Sequence, residues 1–76
     1  MKSLLEKINQ LDYLIHEQQT GSPANLGQKI GVSERSIFDY LKLMKELGAP
    51  IIYSRLRSSY IYRVEGRFNI RFMERN

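Results

Sequence analysis

The chain has 76 residues, of which 42% are hydrophobic and 26% charged, and it contains no cysteine. This length leaves no room for a two-domain enzyme, so we expect one folded domain over 1–76. The absence of cysteine excludes disulfides and thiolate metal sites and fits a cytoplasmic protein. Glu6 and Lys7 interrupt the first apolar residues, so neither a signal peptide nor a membrane span is expected.

The net charge of +4 is unevenly distributed along the chain. Residues 1–48 carry six basic and six acidic side chains, whereas residues 49–76 carry six arginines and two glutamates. Arginine presents a planar set of donors that suits phosphate, so this local excess points to a polyanionic partner. Ordinary solubility charge is the alternative explanation.

Two helices are predicted in the first thirty residues. Ser3 and Glu6 have the spacing of a capping box, and the apolar stripe that follows predicts a helix over 4–18. Ser22 is followed by proline, which is a typical helix start because proline lacks the amide that the first turn leaves unpaired. A short second helix is therefore expected over 23–30.

A third helix is predicted after a turn of about three residues. Gly31 is placed to end the second helix in a left-handed conformation, and Ser33 is placed to cap the next one. Over 34–47 the apolar residues share one face and the charged residues share the opposite face, with Phe38 between them. Gly48 is expected to end this helix.

The pattern changes after Pro50 from helical spacing to alternation. β-Branched and aromatic runs at 51–55 and 60–64 flank a polar tip and predict a β-hairpin. The residues expected on its buried face are Ile51, Tyr53, Tyr60 and Tyr62.

A further strand is predicted over 67–73, where polar and apolar residues alternate again. Its apolar residues are Phe68, Ile70 and Phe72. They need a covering surface, either in this domain or in a second copy. Ile52 and Ile61, on the other face of the hairpin, indicate a dimer interface if this strand leaves them uncovered.

The stretch 26–48, with Gly27 and Gly31 at the helix contact and the turn, resembles the winged helix-turn-helix of bacterial transcriptional regulators. The most similar types are the DNA-binding domains of the biotin-repressor and deoxyribose-operon-repressor classes. The resemblance implies an α+β fold, a helix-turn-helix over about 23–47 and a wing over about 50–64. Alanine is usual at Gly27, so glycine there is expected to weaken the helix by up to ~1 kcal/mol while keeping the contact small.

The resemblance also implies that the third helix lies in the major groove of double-stranded DNA, with the wing on the backbone. Arg35 would contact guanine, and Asp39 would accept a hydrogen bond from cytosine. The implied contact residues on the helix are Ser33, Arg35, Ser36, Phe38, Asp39 and Lys42. Those on the wing are Arg55, Arg57, Ser58 and Ser59. The alternatives are that both helix serines only cap, and that the charged residues form a solvated face with ion pairs.

Catalysis is not expected, because His16 has no cysteine, serine or carboxylate pair beside it in the sequence that would activate it. No phosphate loop or metal-ligand spacing occurs, so no cofactor and no metal are predicted. The predicted function is sequence-specific DNA binding by a transcriptional regulator or mobile-element protein, acting as a homodimer or with a partner protein. The alternative is a winged-helix module that docks a protein through the strand over 67–73. RNA binding through the tyrosines is a third reading, for which no module signature is present.

Overall fold

The computed structural model describes residues 3–64, which form three helices followed by an antiparallel hairpin. The helices are α1 (Leu4–His16), α2 (Pro23–Ile30) and α3 (Glu34–Glu46), and the strands are β1 (Ile51–Ser54) and β2 (Ser59–Tyr62). This arrangement confirms the predicted α+β class and is consistent with a winged helix. The strand predicted over 67–73 lies outside the described residues. Within 3–64, none of the helices has the length and apolarity needed to span a membrane.

The first helix starts as predicted but ends earlier. The Ser3 hydroxyl accepts a hydrogen bond from the amide of Glu6 at 3.2 Å. The helix ends before Gln18 because that residue takes a left-handed conformation, with φ 56°, and the Gln19 amide bonds back to the Leu14 carbonyl at 3.0 Å. Glycine usually occupies this conformation, so the sequence did not mark the end.

The other two helices match their predicted bounds to within one residue. The Ser22 hydroxyl caps α2 by accepting the amide of Asn25 at 3.2 Å. At the end of α3, Gly48 has φ 100°, and the Ala49 amide donates to the Met44 carbonyl at 3.0 Å. This pairing is a Schellman motif, which satisfies a carbonyl that the end of the helix leaves open.

The core is built by all three helices and is closed by the hairpin. Each helix contributes apolar residues at helical spacing, which is the burial that the sequence pattern predicts. The buried apolar residues are Ile8, Leu11, Ile15, Leu26, Ile30, Ile37, Leu41, Met44, Ala49, Ile51 and Tyr60. Leu4 and Leu47, which were expected on the buried faces, are 49% and 60% exposed because they lie at helix ends.

In the hairpin Ile51 pairs with Tyr62 and Tyr53 with Tyr60, so these four residues share one face, as predicted. β2 is the strand that lies against α1. The expectation that all four residues are buried is wrong for Tyr53, which is 41% exposed. Its ring instead packs edge-on against Tyr60, with 5.0 Å between centroids. Tyr60 is buried because its strand, β2, lies against α1, whereas Tyr53 belongs to β1.

Two buried hydroxyls tie the connection between α1 and α2 to the hairpin. The Thr20 amide donates to Ser59 Oγ at 3.0 Å, and the Tyr60 amide donates to Thr20 Oγ1 at 2.8 Å. The side chains of Thr20 and Ser59 are completely buried. A buried amide needs a hydrogen-bond partner. Thr20 Oγ1 is the partner of the Tyr60 amide on the outer edge of β2, and this bond fixes the hairpin to the helices.

Candidate nucleic-acid interface

The turn between α2 and α3 depends on a close approach at Gly27. The amides of Gly31 and Val32 both donate to the Gly27 carbonyl, at 2.7 and 2.9 Å, and Gly31 is left-handed with φ 84°. A Cβ at position 27 would lie 2.7 Å from the Val32 carbonyl oxygen, which is too close for a backbone contact. The expectation that glycine keeps this contact small is therefore confirmed, and any side chain at position 27 would force the backbone of the turn to move.

The start of α3 is capped by its own serines. Ser33 Oγ accepts the amide of Ser36 at 3.1 Å and donates to Ser36 Oγ at 3.1 Å. The capping role weighed for Ser33 is therefore confirmed, and its hydroxyl is already engaged within the helix start. Ser33 is exposed and Ser36 is half-buried.

The outward face of α3 carries the charged residues predicted for DNA contact. Arg35, Asp39 and Lys42 are all exposed, and Phe38 beside them is 50% exposed. The ion pairs considered for this face do not form: across residues 3–64, the only acid–base contact within 4.0 Å joins His16 to Asp12. The charged groups of this face are thus open to solvent or to a partner.

The hairpin tip presents a second charged group on a defined turn. The amide of Arg57 donates to Ser54 Oγ at 3.1 Å, and the Ser58 amide donates to the Arg55 carbonyl at 3.3 Å. Arg55, Arg57 and Ser58 are exposed, as their predicted role requires. Between the two arginines stands Leu56, which is 91% exposed.

Leu56 was not among the predicted contact residues, because the tip was interpreted as a polar segment. The signal that could have found it is its position in the four-residue turn, where no neighbouring element can cover a side chain.

Ser59 is a correction to the predicted site. Its side chain has no solvent exposure, and its hydroxyl lies 3.0 Å from Thr20 Oγ1 and donates to the Tyr60 carbonyl at 2.9 Å. It is the first residue of β2 and turns toward the helices, so it does not reach the surface. The prediction that Ser59 contacts DNA is therefore wrong.

α3 and the hairpin contribute residues to the same buried core. Burial raises the pKa of the Tyr60 phenol, and the neighbouring Tyr53 and the Glu34 carboxylate raise it further. We group the residues predicted for DNA contact that are exposed on these two elements, together with Leu56, as the α3–hairpin surface. Its members are Arg35, Phe38, Asp39, Lys42, Arg55, Leu56, Arg57 and Ser58.

His16 belongs to a cluster that fastens β2 to α1. The Tyr62 hydroxyl donates to Asp12 Oδ1 at 2.6 Å, and His16 Nε2 lies 3.4 Å from the same oxygen. Burial and the hydrogen bond to Asp12, followed by the charge of Asp12, raise the pKa of Tyr62 far above its usual value. The Tyr62 hydroxyl therefore keeps the proton that it donates to Asp12, and the cluster joins β2 to α1.

The described part of the chain contains no group of three or more His, Asp, Glu or Cys side chains that could hold a metal ion. No family model, curated protein or solved structure matches the sequence. Function is therefore inferred from the chemistry of the α3–hairpin surface.

Proposed function

We propose that the protein binds double-stranded DNA through the α3–hairpin surface, as a sequence-specific regulator of transcription or of a mobile element. The observation that carries the proposal is the hairpin and its flank, 51–64, which bear three arginines and no acid. No carboxylate of residues 3–64 lies within ion-pair distance of these arginines. Guanidinium groups that have no carboxylate partner among residues 3–64 suit the phosphates of a duplex.

The outward face of α3 suits the reading of base edges. Residues 34–46 have three basic and three acidic side chains, so they contribute little charge-driven affinity. Their exposed groups are instead chemically varied: Arg35 can donate to guanine, Asp39 can accept from cytosine, and Phe38 can contact the methyl group of thymine. Such a face, placed in the major groove, distinguishes sequences more than it strengthens binding.

The hairpin then acts as the wing and supplies affinity. If about three to five phosphates are neutralised by each subunit, the logarithm of the binding constant falls with the logarithm of salt concentration at a slope of about −3 to −5. Arg55 and Arg57 at the tip, with Lys42 at the outer face of α3, are the groups expected to make these contacts.

The test is a titration of a labelled random duplex with the full chain at several salt concentrations. Replacing both Arg55 and Arg57 with alanine should reduce the slope by about two, which corresponds to roughly sixty-fold weaker binding at 0.1 M salt for every duplex. Lys7→Ala is the matched control, because it removes one positive charge from α1, which contributes nothing to the surface. A salt-independent response of the unaltered protein would overturn the proposal.

A selection from random duplexes tests the specificity. Enrichment of one sequence is expected if α3 reads base edges, and the recovered site then serves in the experiments below. Recovery of unrelated sequences would show that the protein binds DNA without the proposed specificity.

A protein-interaction module is the second candidate function. It is favoured by the outer face of the hairpin, where Ile52 is 43% exposed and pairs with the half-buried Ile61. The residues predicted to extend this face, Phe68, Ile70 and Phe72, lie outside the described part of the chain. The same face is the proposed contact for a homodimer, and Ile52→Ser should then shift the mass measured by light scattering from dimer to monomer.

A further inference from the structure

We infer that Leu56 is a wedge that enters the minor groove and separates two stacked base pairs, so that the protein bends the DNA to which it binds. This role rests on the proposed function, since it requires the hairpin to lie on a duplex. It adds an activity, DNA bending, to the reading of sequence by α3.

The first observation is the exposure of Leu56. At 91% it is the most exposed of the large apolar side chains in residues 3–64, and the next, Val64, reaches 64%. A leucine with almost no intramolecular contact gains nothing for the fold by its apolar character. It offers instead an apolar surface that becomes buried only on binding.

The second observation is the order of the turn that presents it. Two hydrogen bonds span Leu56 and order the tip. The Arg57 amide donates to Ser54 Oγ, and the Ser58 amide donates to the Arg55 carbonyl. Ser58 adopts a left-handed conformation with φ 51°, which completes the reversal of the chain. A wedge needs such a support, because ordering a loose loop would oppose insertion.

The hairpin behind the tip is also held in place. Thr20 bonds to Ser59 and Tyr60 at one end of β2, and Asp12 bonds to Tyr62 at the other. These hydrogen bonds attach the hairpin to α1 and to the connection that follows it, so the tip has a fixed support.

The third observation is the charge around the wedge. Arg55 and Arg57 flank Leu56 directly in the sequence, and both are exposed. A narrow A·T-rich minor groove has an enhanced negative potential that attracts arginine, and leucine is among the side chains that proteins insert between base steps there. The combination of one apolar residue between two arginines fits the minor groove better than the polar major groove.

The chemistry also defines the class of DNA. Pyrimidine–purine steps such as TA and CA unstack most easily, and A·T-rich flanks narrow the groove. We therefore expect the preferred duplex to contain a flexible step within an A·T-rich stretch, beside the site that α3 reads.

The experiment uses the duplex recovered by selection, labelled at both ends for energy transfer and carrying 2-aminopurine at the flexible step. At saturating protein, bending should raise the energy transfer, and unstacking should raise the 2-aminopurine fluorescence. Leu56→Ser should abolish both signals at saturation, whereas Leu56→Met, which keeps an apolar wedge, should retain them. Because Leu56 is exposed, both variants should unfold at the same temperature as the unaltered protein.

The outcomes separate the two proposals. If the unaltered protein binds the duplex without either signal, or if Leu56→Ser bends DNA fully, the wedge is wrong and DNA binding stands. If the unaltered protein binds no duplex at all, the proposed function itself fails. A flexible step replaced by a stiff A-tract should weaken binding of the unaltered protein but not that of Leu56→Ser, and equal weakening of both would also contradict the wedge.

Discussion

α3 and the hairpin both present exposed charged groups, yet they differ in charge and in the way each is held. α3 carries three basic and three acidic residues, whereas 51–64 carry three arginines alone. α3 is positioned by a backbone contact, Gly27 against Val32. The hairpin is positioned by side-chain hydrogen bonds through Thr20 and Asp12. Under the proposed function, we therefore expect discrimination and affinity to arise in separate elements that can be altered separately.

The largest effect is expected where the backbone contact is broken. In a free helix, replacing glycine with alanine stabilises by about 1 kcal/mol, but at position 27 the new Cβ would collide with the Val32 carbonyl. We expect Gly27→Ala to lower the free energy of unfolding by about 2–3 kcal/mol, measured by urea unfolding followed by circular dichroism.

Gly31→Ala is the control for that variant. A Cβ at Gly31 would meet no atom within 4 Å, so only the left-handed backbone opposes the change, by about 1–2 kcal/mol. If Gly27→Ala instead stabilises the protein, the approach of α2 to the turn is looser than described and α3 is held in another way.

A smaller effect is expected where the hairpin is attached. Thr20→Val removes the acceptor of the Tyr60 amide and a partner of Ser59, all within the buried network. Ser59 Oγ keeps the Thr20 amide and the Tyr60 carbonyl as partners, so the Tyr60 amide is the group left unpaired. Its loss of an acceptor should lower the free energy of unfolding by about 2 kcal/mol. Hydrogen exchange should show that the amides of β2 lose more protection than those of α3, because the change acts on the hairpin attachment.

Thr20→Ser separates the hydroxyl from the methyl group. It keeps every hydrogen bond of the network and should retain most of the stability and the protection of β2. Equal losses in Thr20→Val and Thr20→Ser would show that packing of the methyl group, and not the hydroxyl, fixes the hairpin.

The smallest effect is expected from a single base contact on α3. Arg35→Ala should remove the preference for one G·C pair of the selected site, a loss of about 1.5 kcal/mol, and should leave binding to random duplex nearly unchanged. Arg57→Ala should do the reverse and weaken every duplex alike. Competition binding with single-base variants of the site measures both, and an intact preference in Arg35→Ala would refute the assignment of α3 as the recognition helix.

The sequence predicted the local parts of this molecule well. Ser22, Ser33, Gly31 and Gly48 marked helix ends because capping and left-handed conformations depend on a few adjacent residues. The alternation of 51–64 was sufficient to assign which residues share each face of the hairpin. Of the candidate surface, the exposed charges of α3 and of the tip were also foreseen.

The missed features all depend on residues that are distant in sequence or on the space around one atom. Ser59 meets Thr20 across 39 positions, and Tyr62 meets Asp12 across 50. A single hydrogen bond between two elements produces no repeating pattern in the sequence. Neither pair could therefore be predicted from residue spacing.

By itself, then, the sequence determined the helices, their ends except that of α1, and the arginine-rich hairpin, because these follow from local backbone preferences and from the spacing of apolar residues. Only the tertiary structure decided that the backbone contact at Gly27 leaves no room for a side chain, that Ser59 is buried and that Leu56 is exposed at the tip. The physical reason is that close approach, burial and exposure depend on how the helices and strands pack against one another. Local sequence patterns do not specify that packing.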